Sequence, residues 1–352
     1  MNGCWLWKSV VLGAAVSGAV SSLGCAGDAV GARSGSNAER LMEMPMPERL
    51  RHHVEVLCAD GPGGRTRAQP EAYARAASYI EETLRGAGFA EVEREYVPGY
   101  EGLAPNLIVE LAGEGAADEM VVIGAHYDNI EETPGADDNA SAVSVTLELA
   151  RDHLRRHRAG DRDERTVRYA FFTNEEMPYF STGDMGSQHH ANSARERGEE
   201  ITAMISVEMV GYFSDEPGSQ RYPTGVELPG LPDRGNFIAI VTRLEDAGLE
   251  RRIAASFGEA SELPIVPAAL PTFVRGVTHS DHASFWRADY PAAMLTDTSF
   301  LRNPHYHMPT DTPDTLDYER MAEVYEGMLA VVRDLARVRE GPGAAGGGAA
   351  RR

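Results

Sequence analysis

Apolar residues recur in two rhythms along the middle of this chain. In "PEAYARAASYIEETLRGAGF" (70–89), Tyr73, Ala77, Ile80 and Leu84 fall three or four apart, which predicts a helix opened by Pro70 and stopped by Gly86 and Gly88. Continuous apolar runs predict strands over 105–111, 120–128, 166–174, 203–211, 236–242 and 292–297. A helix is expected to start after Asp138, and a last one covers 318–338. Runs that are apolar throughout, instead of alternating, belong to strands buried on both faces. Separated by helices, they predict an α/β protein: a three-layer α/β/α sandwich around a mixed, largely parallel sheet. No repeat at a fixed period and no long Gly/Ser/Pro linker divides 45–339, which is expected to be one domain.

The chain ends read differently. After Lys8 comes "SVVLGAAVSGAVSSLG", too short to favour a membrane span and suited to the core of a signal peptide. It runs into Cys25 in "SSLGCAG", which resembles a bacterial lipoprotein cleavage box, with Ser22 where such boxes usually carry leucine. The expectation is a signal peptide over 1–25, a flexible linker over 26–44 and a disordered tail over 340–352. The protein would then be exported, as a periplasmic, secreted or envelope protein, with membrane attachment by a lipid on Cys25. In 352 residues, 54 are Asp or Glu and 33 are Lys or Arg. That balance speaks against sequence-independent nucleic-acid binding, which needs clustered positive charge. Cys58 alone lies in the globular part, so neither a disulfide framework nor a cysteine-rich zinc site is available there. His52, His53, His153, His157, His189 and His190 read as surface histidines.

Chemistry gathers where strands end. The 120–125 strand runs into His126 and Asp128, the 166–173 strand into Glu175 and Glu176, and the 203–207 strand into Glu208. In open α/β sheets, sites form at the carboxyl ends of strands. If these strands are parallel neighbours, their polar residues meet with the Asp137–Asp138 pair of "GADDNAS". Taken singly, each feature has a plain structural reading. Asp137, Asp138 and Asn139 suit a helix N-cap. Glu175 and Glu176 suit a solvated loop, and Ser280 suits the cap of a short helix through "DHASFW". Brought together, unpaired carboxylates repel and would protonate. A cation resolves the conflict, and histidine with carboxylates suits zinc. Histidine clusters also occur in "THSDHASF" (278–285) and "NPHYHMPTDTPDTLDY" (303–318).

This ordered set resembles the co-catalytic dizinc exopeptidases of metallopeptidase family twenty-eight, which include bacterial aminopeptidases, glutamate carboxypeptidases and glutaminyl cyclases. The resemblance spans roughly 50–338. "HVEVLCADGPGGRTRAQPE" is similar to the family's opening helix and Gly-Arg turn, and "PNLIVEL" to its first core strand. It implies the zinc exopeptidase fold and two zinc ions per chain. His126 and Glu208 would hold the first ion, Glu176 and His307 the second, and Asp138 would bridge them. Asp128 would orient His126, Glu175 would be the general base, and Tyr306 would help stabilise the oxyanion. The substrate would be a peptide or amino-acyl compound cleaved at a chain terminus, most readily as an aminopeptidase. The "SDH" at 280–282 also recurs in the family near the pocket.

Two features depart from the family pattern. "MPYFSTGDM" (177–185) follows Glu176 where relatives move almost directly to Gly-Leu and Gly-Ser, so Met177, Tyr179 and Phe180 are expected to rim the pocket. Position 208 is glutamate where many relatives have aspartate. The Pro/Gly-rich segment 212–235 is expected to form a second wall. A carboxypeptidase would need a cation for the free carboxylate, for which Arg275 and Arg302 are the candidates. A single-zinc cyclase and a non-catalytic ectodomain are the alternatives.

Overall fold

The computed structural model describes residues 41–338 apart from 42, 101–103 and 227–229. The leader, most of the linker and the tail lie outside these residues. Eight strands form one sheet: β1 (Glu93–Glu95), β2 (Asn106–Leu111), β3 (Ala116–His126), β4 (Arg165–Phe172), β5 (Glu200–Glu208), β6 (Ile238–Arg243), β7 (Ile265–Leu270) and β8 (Ala292–Thr296). Their order is β1-β2-β4-β3-β5-β8-β6-β7. The central strands β4, β3, β5 and β8 run parallel, while β2 and β6 flank them antiparallel.

Side-chain alternation makes this sheet the middle layer. Along β3, Val121, Ile123 and Ala125 face one hydrophobic core, and Met120 and Val122 face another. The first core packs against α1 (Met46–Leu57), α2 (Pro70–Ala87), α3 (Ala142–Arg158), α5 (Ala247–Gly258) and α7 (Tyr318–Leu335). The second packs against α4 (Gly186–Arg197) and α6 (His282–Arg287). Both faces of the central strands are buried, which is why their sequences are continuously apolar. The expected three-layer sandwich is the observed fold.

Helix α2 follows its expected limits closely. It opens with Pro at its first position and ends at Gly88, whose φ of 113° is left-handed and whose N–H reaches the Leu84 and Arg85 carbonyls. Elements the sequence pattern passed over have weak signals. Strand β7 is an edge strand containing Pro267, which is tolerated there because an edge leaves one side of the ladder free. Helix α4, "GSQHHANSARER", has too few apolar residues to show a stripe.

Three of the six histidines read as surface residues are buried: His53, His153 and His190. Each meets a polar partner distant in sequence. His190 Nδ1 bonds Glu95 Oε2 at 2.9 Å, and His153 Nδ1 bonds the Tyr169 hydroxyl at 3.0 Å. His53 Nε2 reaches Glu148 Oε1 at 2.8 Å while its Nδ1 meets the Tyr79 hydroxyl at 2.6 Å. Burial and nearby Arg151 hold His53 well below its usual pKa, so the neutral ring donates to Glu148 and accepts from Tyr79. Glu148 is fully buried on α3 and also accepts from Arg151 at 2.9 Å and from Arg49, tying α1 to α3. Removing one partner of such a buried ionic group is far costlier than removing a surface pair. Glu148→Ala is therefore expected to destabilise the fold by about 3–5 kcal/mol, read as a lower denaturant midpoint. A loss below about 1 kcal/mol, the range of surface pairs, would show that the network does not tie the helices.

Candidate metal centre

The parallel register of β3, β4 and β5 aligns their carboxyl ends. His126 pairs with Phe172 across to β4, Gly124 with Ser206 on β5, and Glu208 with Thr296 on β8. Asp128, Glu175 and Glu176 stand just beyond the strand ends. Asp138 lies in the turn between β3 and α3, after a cluster of small residues, and its peptide bond to Asn139 is cis. His307 comes from the loop after β8. His126, Asp128, Asp138, Glu175, Glu176 and Glu208 are all buried, and His307 is partly exposed at the mouth.

Among the described residues, two groups of donors form: His126, Asp138 and Glu208, and Asp138, Glu176 and His307. Within each group, the ligand atoms lie within 4.8 Å of one another. Asp138 belongs to both. Its Oδ1 is 3.3 Å from His126 Nε2 and its Oδ2 is 3.2 Å from His307 Nε2. His126 Nε2 is also 3.3 Å from Glu208 Oε2, and His307 Nε2 is 3.7 Å from Glu176 Oε2. His126 Nδ1 lies 3.4 Å from Asp128 Oδ1. Neither ring nitrogen of His126 has a hydrogen-bond partner, nor does Glu176 Oε1. Buried polar atoms without partners are rare in folded proteins. Orphaned donors converging from histidine and carboxylate fit zinc: each group supplies three protein ligands and leaves a position open.

The donors are held by backbone hydrogen bonds. Asp128 accepts the N–H of both Glu175 and Glu176 at 3.0 Å, so one carboxylate orders the β3 and β4 ends together. Asp311 does the same for the bridge, accepting from the N–H of Asp137 at 2.8 Å and of Asp138 at 3.2 Å. Arg65, buried in the Gly-Arg turn, donates to the carbonyls of Leu57, Tyr127, Pro134 and Gly135 at 2.6–2.9 Å. It thereby fixes both segments that bear the β3-side donors. Gly135 must be glycine there: its φ is 68°, and a Cβ would sit 2.5 Å from the Asp138 carbonyl and 2.6 Å from the Arg65 guanidinium. Asn174, Met209 and His307 are non-glycine residues with left-handed φ of 56°, 48° and 57°. Such strain costs of order 1–3 kcal/mol each, and it clusters beside Glu175, Glu208 and at His307 itself.

Two readings of capping are corrected. Asn139 does not cap α3. Its side chain donates to the Val207 carbonyl at 3.1 Å and to Glu208 Oε2 at 3.3 Å, and accepts from the Met209 N–H at 2.9 Å, stitching the bridge to the β5 end. Ser280 does not cap α6 through its hydroxyl, which bonds Glu208 Oε2 at 2.8 Å. Both belong to the site because a second ligand-bearing strand offers them a stronger acceptor. Sequence reading missed Asp311 altogether and left Asp281 without a role. Asp281 is fully buried beside His126 and Glu208, and burial pushes its pKa up to about 7.

Burial sets the electrostatics. It raises Glu175 and Glu176 well above the carboxylate range, and neighbouring carboxylates add to both shifts. Burial would lower His126, but Glu208 and Glu175 override it and raise the ring well above its usual value. Burial likewise opposes ionisation of Asp138, yet the His126 and His307 rings beside it hold it below the usual range. Without cations, protons would have to sit among these carboxylates; two divalent ions would displace them.

The mouth has two walls. Tyr179 accepts from Arg67 at 2.7 Å, Phe180 packs edge-on against His279, which lines the cavity, and Met177 is exposed. Gln220, Tyr222, Pro223, Val226 and Leu231 of the second segment line an apolar cavity of about 250 Å³ that Glu208 also lines. Tyr306 stacks on His307 with ring centroids 3.7 Å apart. Of the two candidate arginines, Arg302 is buried and committed to Gln220 and the Phe237 carbonyl at 2.9 and 2.8 Å. Only Arg275 lines the cavity.

A sheet of this topology with histidine and carboxylate donors at its carboxyl edge defines a metal-dependent hydrolase of the α/β class. Residues 106–332 match the sequence model of peptidase family M28, and the chain belongs to that family; it is a zinc metallopeptidase. The protein YfbL of Escherichia coli K12 is 39% identical over 268 residues, 73% of this chain and 79% of its own. A probable leucine aminopeptidase 1 of Trichophyton verrucosum is 28% identical over 234 residues, 63% of this chain but only 56% of its own length. Two solved structures share the fold. LapA aminopeptidase of Legionella pneumophila gives a TM-score of 0.66 at 21% identity, covering 86% of this chain and 75% of its own. A glutaminyl cyclase of Bacteroides thetaiotaomicron gives 0.58 at 16% identity, covering 82% and 97%.

Because Asp311 holds the backbone of the shared aspartate, Asp311→Ala is expected to weaken zinc binding at the Asp138–Glu176–His307 group by about 10–100-fold. Metal titration of the folded variant reads this directly. Unchanged affinity would mean the bridge keeps its place without Asp311.

Proposed function

We propose that this protein is a dizinc aminopeptidase. His126, Asp138 and Glu208 would hold one ion, and Asp138, Glu176 and His307 the other. The observation that carries the reading is the division of Asp138: its two oxygens face two different histidines, each backed by a separate glutamate. Two zinc ions bound there would lower the pKa of a water molecule and polarise the scissile carbonyl.

The chain's own residues do the rest. Glu175 takes the proton of the attacking water and hands it to the leaving amine, acting as general base and then acid. Asp128 orients His126 and positions Glu175 through its backbone N–H. Tyr306, stacked on His307, would donate its phenol O–H to the developing oxyanion. Burial and the surrounding carboxylates raise its pKa, so it keeps the proton it must donate.

Polarity follows from charge. The centre is rich in carboxylates, which suits a free α-ammonium group; of the two arginines that could take a free carboxylate, Arg302 is buried against Gln220 and Phe237, and Arg275 lines the cavity and is absent from the donor groups. The leucine aminopeptidase relative supports the same polarity. A glutaminyl-cyclase-like acyl transfer with one zinc is the alternative; the complete second donor group favours two. Among the described residues no helix is long and apolar enough to cross a membrane. The signal-like first 25 residues make export, with a lipid on Cys25, part of this proposal.

Glu175→Gln keeps the shape of the side chain and removes the base. Turnover of an aminoacyl p-nitroanilide is expected to fall by about 10²–10⁴-fold while the zinc content stays at the wild-type level. Activity within a few-fold of wild type would reject Glu175 as the base.

A further inference from the structure

The apolar cavity whose lining includes Glu208 is not apolar throughout. Phe237, Met294, Leu301 and Phe300 line it, and so does Arg275. The Arg275 guanidinium lies over the Phe300 ring, 4.7 Å from its centre. Among the described residues it has no carboxylate within ion-pair distance, although acidic residues outnumber basic ones 54 to 33 in this chain. Arg275 also lines an adjoining cleft of about 550 Å³ together with Arg221, Phe273 and Phe300. Arg221 is fixed beside the same ring: its Nη2 donates to the Phe300 carbonyl at 3.0 Å, and its backbone N–H to the Leu301 carbonyl at 3.0 Å. Arg221 likewise has no carboxylate partner among the described residues. Phe273, 88% exposed, forms the lip of this cleft.

We propose that Arg275 and Arg221 form an anion-reading subsite in the cleft that adjoins the apolar cavity. The preferred substrates are then short peptides with a bulky apolar terminal residue and a carboxylate in the residue that follows. The proposal rests on the aminopeptidase reading above and deepens it.

Three physical points converge. A guanidinium laid on an aromatic ring is held in place before its ligand arrives, and its planar fork matches a carboxylate. A carboxylate in the apolar part of the cavity would be desolvated without a partner, so charge on a ligand is tolerated only beside the two arginines. The exposed Phe273 beside the two arginines offers apolar contact to the body of a ligand whose charge they hold. Arg302 and Arg65, by contrast, are buried and bonded to groups of the fold, and neither lines the cavity.

The carboxylate could be a C-terminus or an acidic side chain, and two substrate pairs separate them. The first pair is phenylalanyl-leucine and its C-terminal amide. The second is phenylalanyl-glutamate amide and phenylalanyl-glutamine amide. With the zinc-loaded full-length enzyme, the charged member of at least one pair is expected to have a KM about fivefold lower than its neutral partner. The pair that shows this identifies the source. Arg275→Ala is expected to bring that ratio to about one, and Arg275→Lys to keep part of it. Equal KM values within both wild-type pairs would overturn the subsite, as would a ratio that survives in Arg275→Ala. If the wild type cleaves none of the four, the aminopeptidase reading fails. Calorimetric dissociation constants for the same peptides then decide the subsite by the same ratios.

Discussion

Five acid side chains and a histidine are packed out of water at one edge of the sheet, and the rest of the structure is arranged around that crowding. Asp128, Asp138, Glu175, Glu176 and Glu208 are each no more than 6% exposed. Like charges this close and this dry repel strongly, because little water screens them. Arginines could in principle neutralise them, yet the arginines nearby are engaged with backbone carbonyls or line the apolar cavity. Bound cations would reconcile burial with ionisation, and the His126 ring and Glu176 Oε1 are among the buried atoms left without hydrogen-bond partners.

Holding such a site open requires a scaffold that does not relax. The parallel strands β4, β3 and β5 deliver three carboxyl ends at one level, and the loops between them are then tied by side chains that bond backbone instead of each other. Asp128 spans the ends of β3 and β4, Asn139 spans the bridge and β5, and Asp311 spans the bridge and the His307 loop. Arg65 ties the opening turn to both sides of Asp138. The mobile-looking parts of the sequence, rich in Gly and Pro, thus become walls with fixed contacts, among them the segment lining the apolar cavity.

Much of this was legible in the chain before any fold was known. Continuous apolar runs marked β3, β4, β5 and β8 because burial on both faces leaves no alternation, and the polar residues at their ends were local signals. The order of His126, Asp138, Glu175–Glu176, Glu208 and His307 carried the resemblance, and the structure brings all six together. What stayed hidden depends on distant partners. Asn139 and Ser280 looked like helix caps because nothing local announces that Glu208 lies within their reach. His53, His153 and His190 looked exposed because their polar partners lie tens of residues away or across the sheet. Arg275 and Arg302 were equivalent in sequence; only packing shows that one is sealed among Gln220 and Phe237 while the other faces the cavity. Helix α4 and strand β7 gave weak patterns because one lacks an apolar stripe and the other is a short edge with a proline.

The central claim is that Asp138 joins two metal ions. A crystal of the protein grown with zinc, measured on both sides of the zinc absorption edge, tests it most directly. Two anomalous peaks about 3.5–4 Å apart, one beside His126 and Glu208, the other beside Glu176 and His307, with an Asp138 oxygen on each, would match the account. A single peak, or two that do not share Asp138, would contradict it.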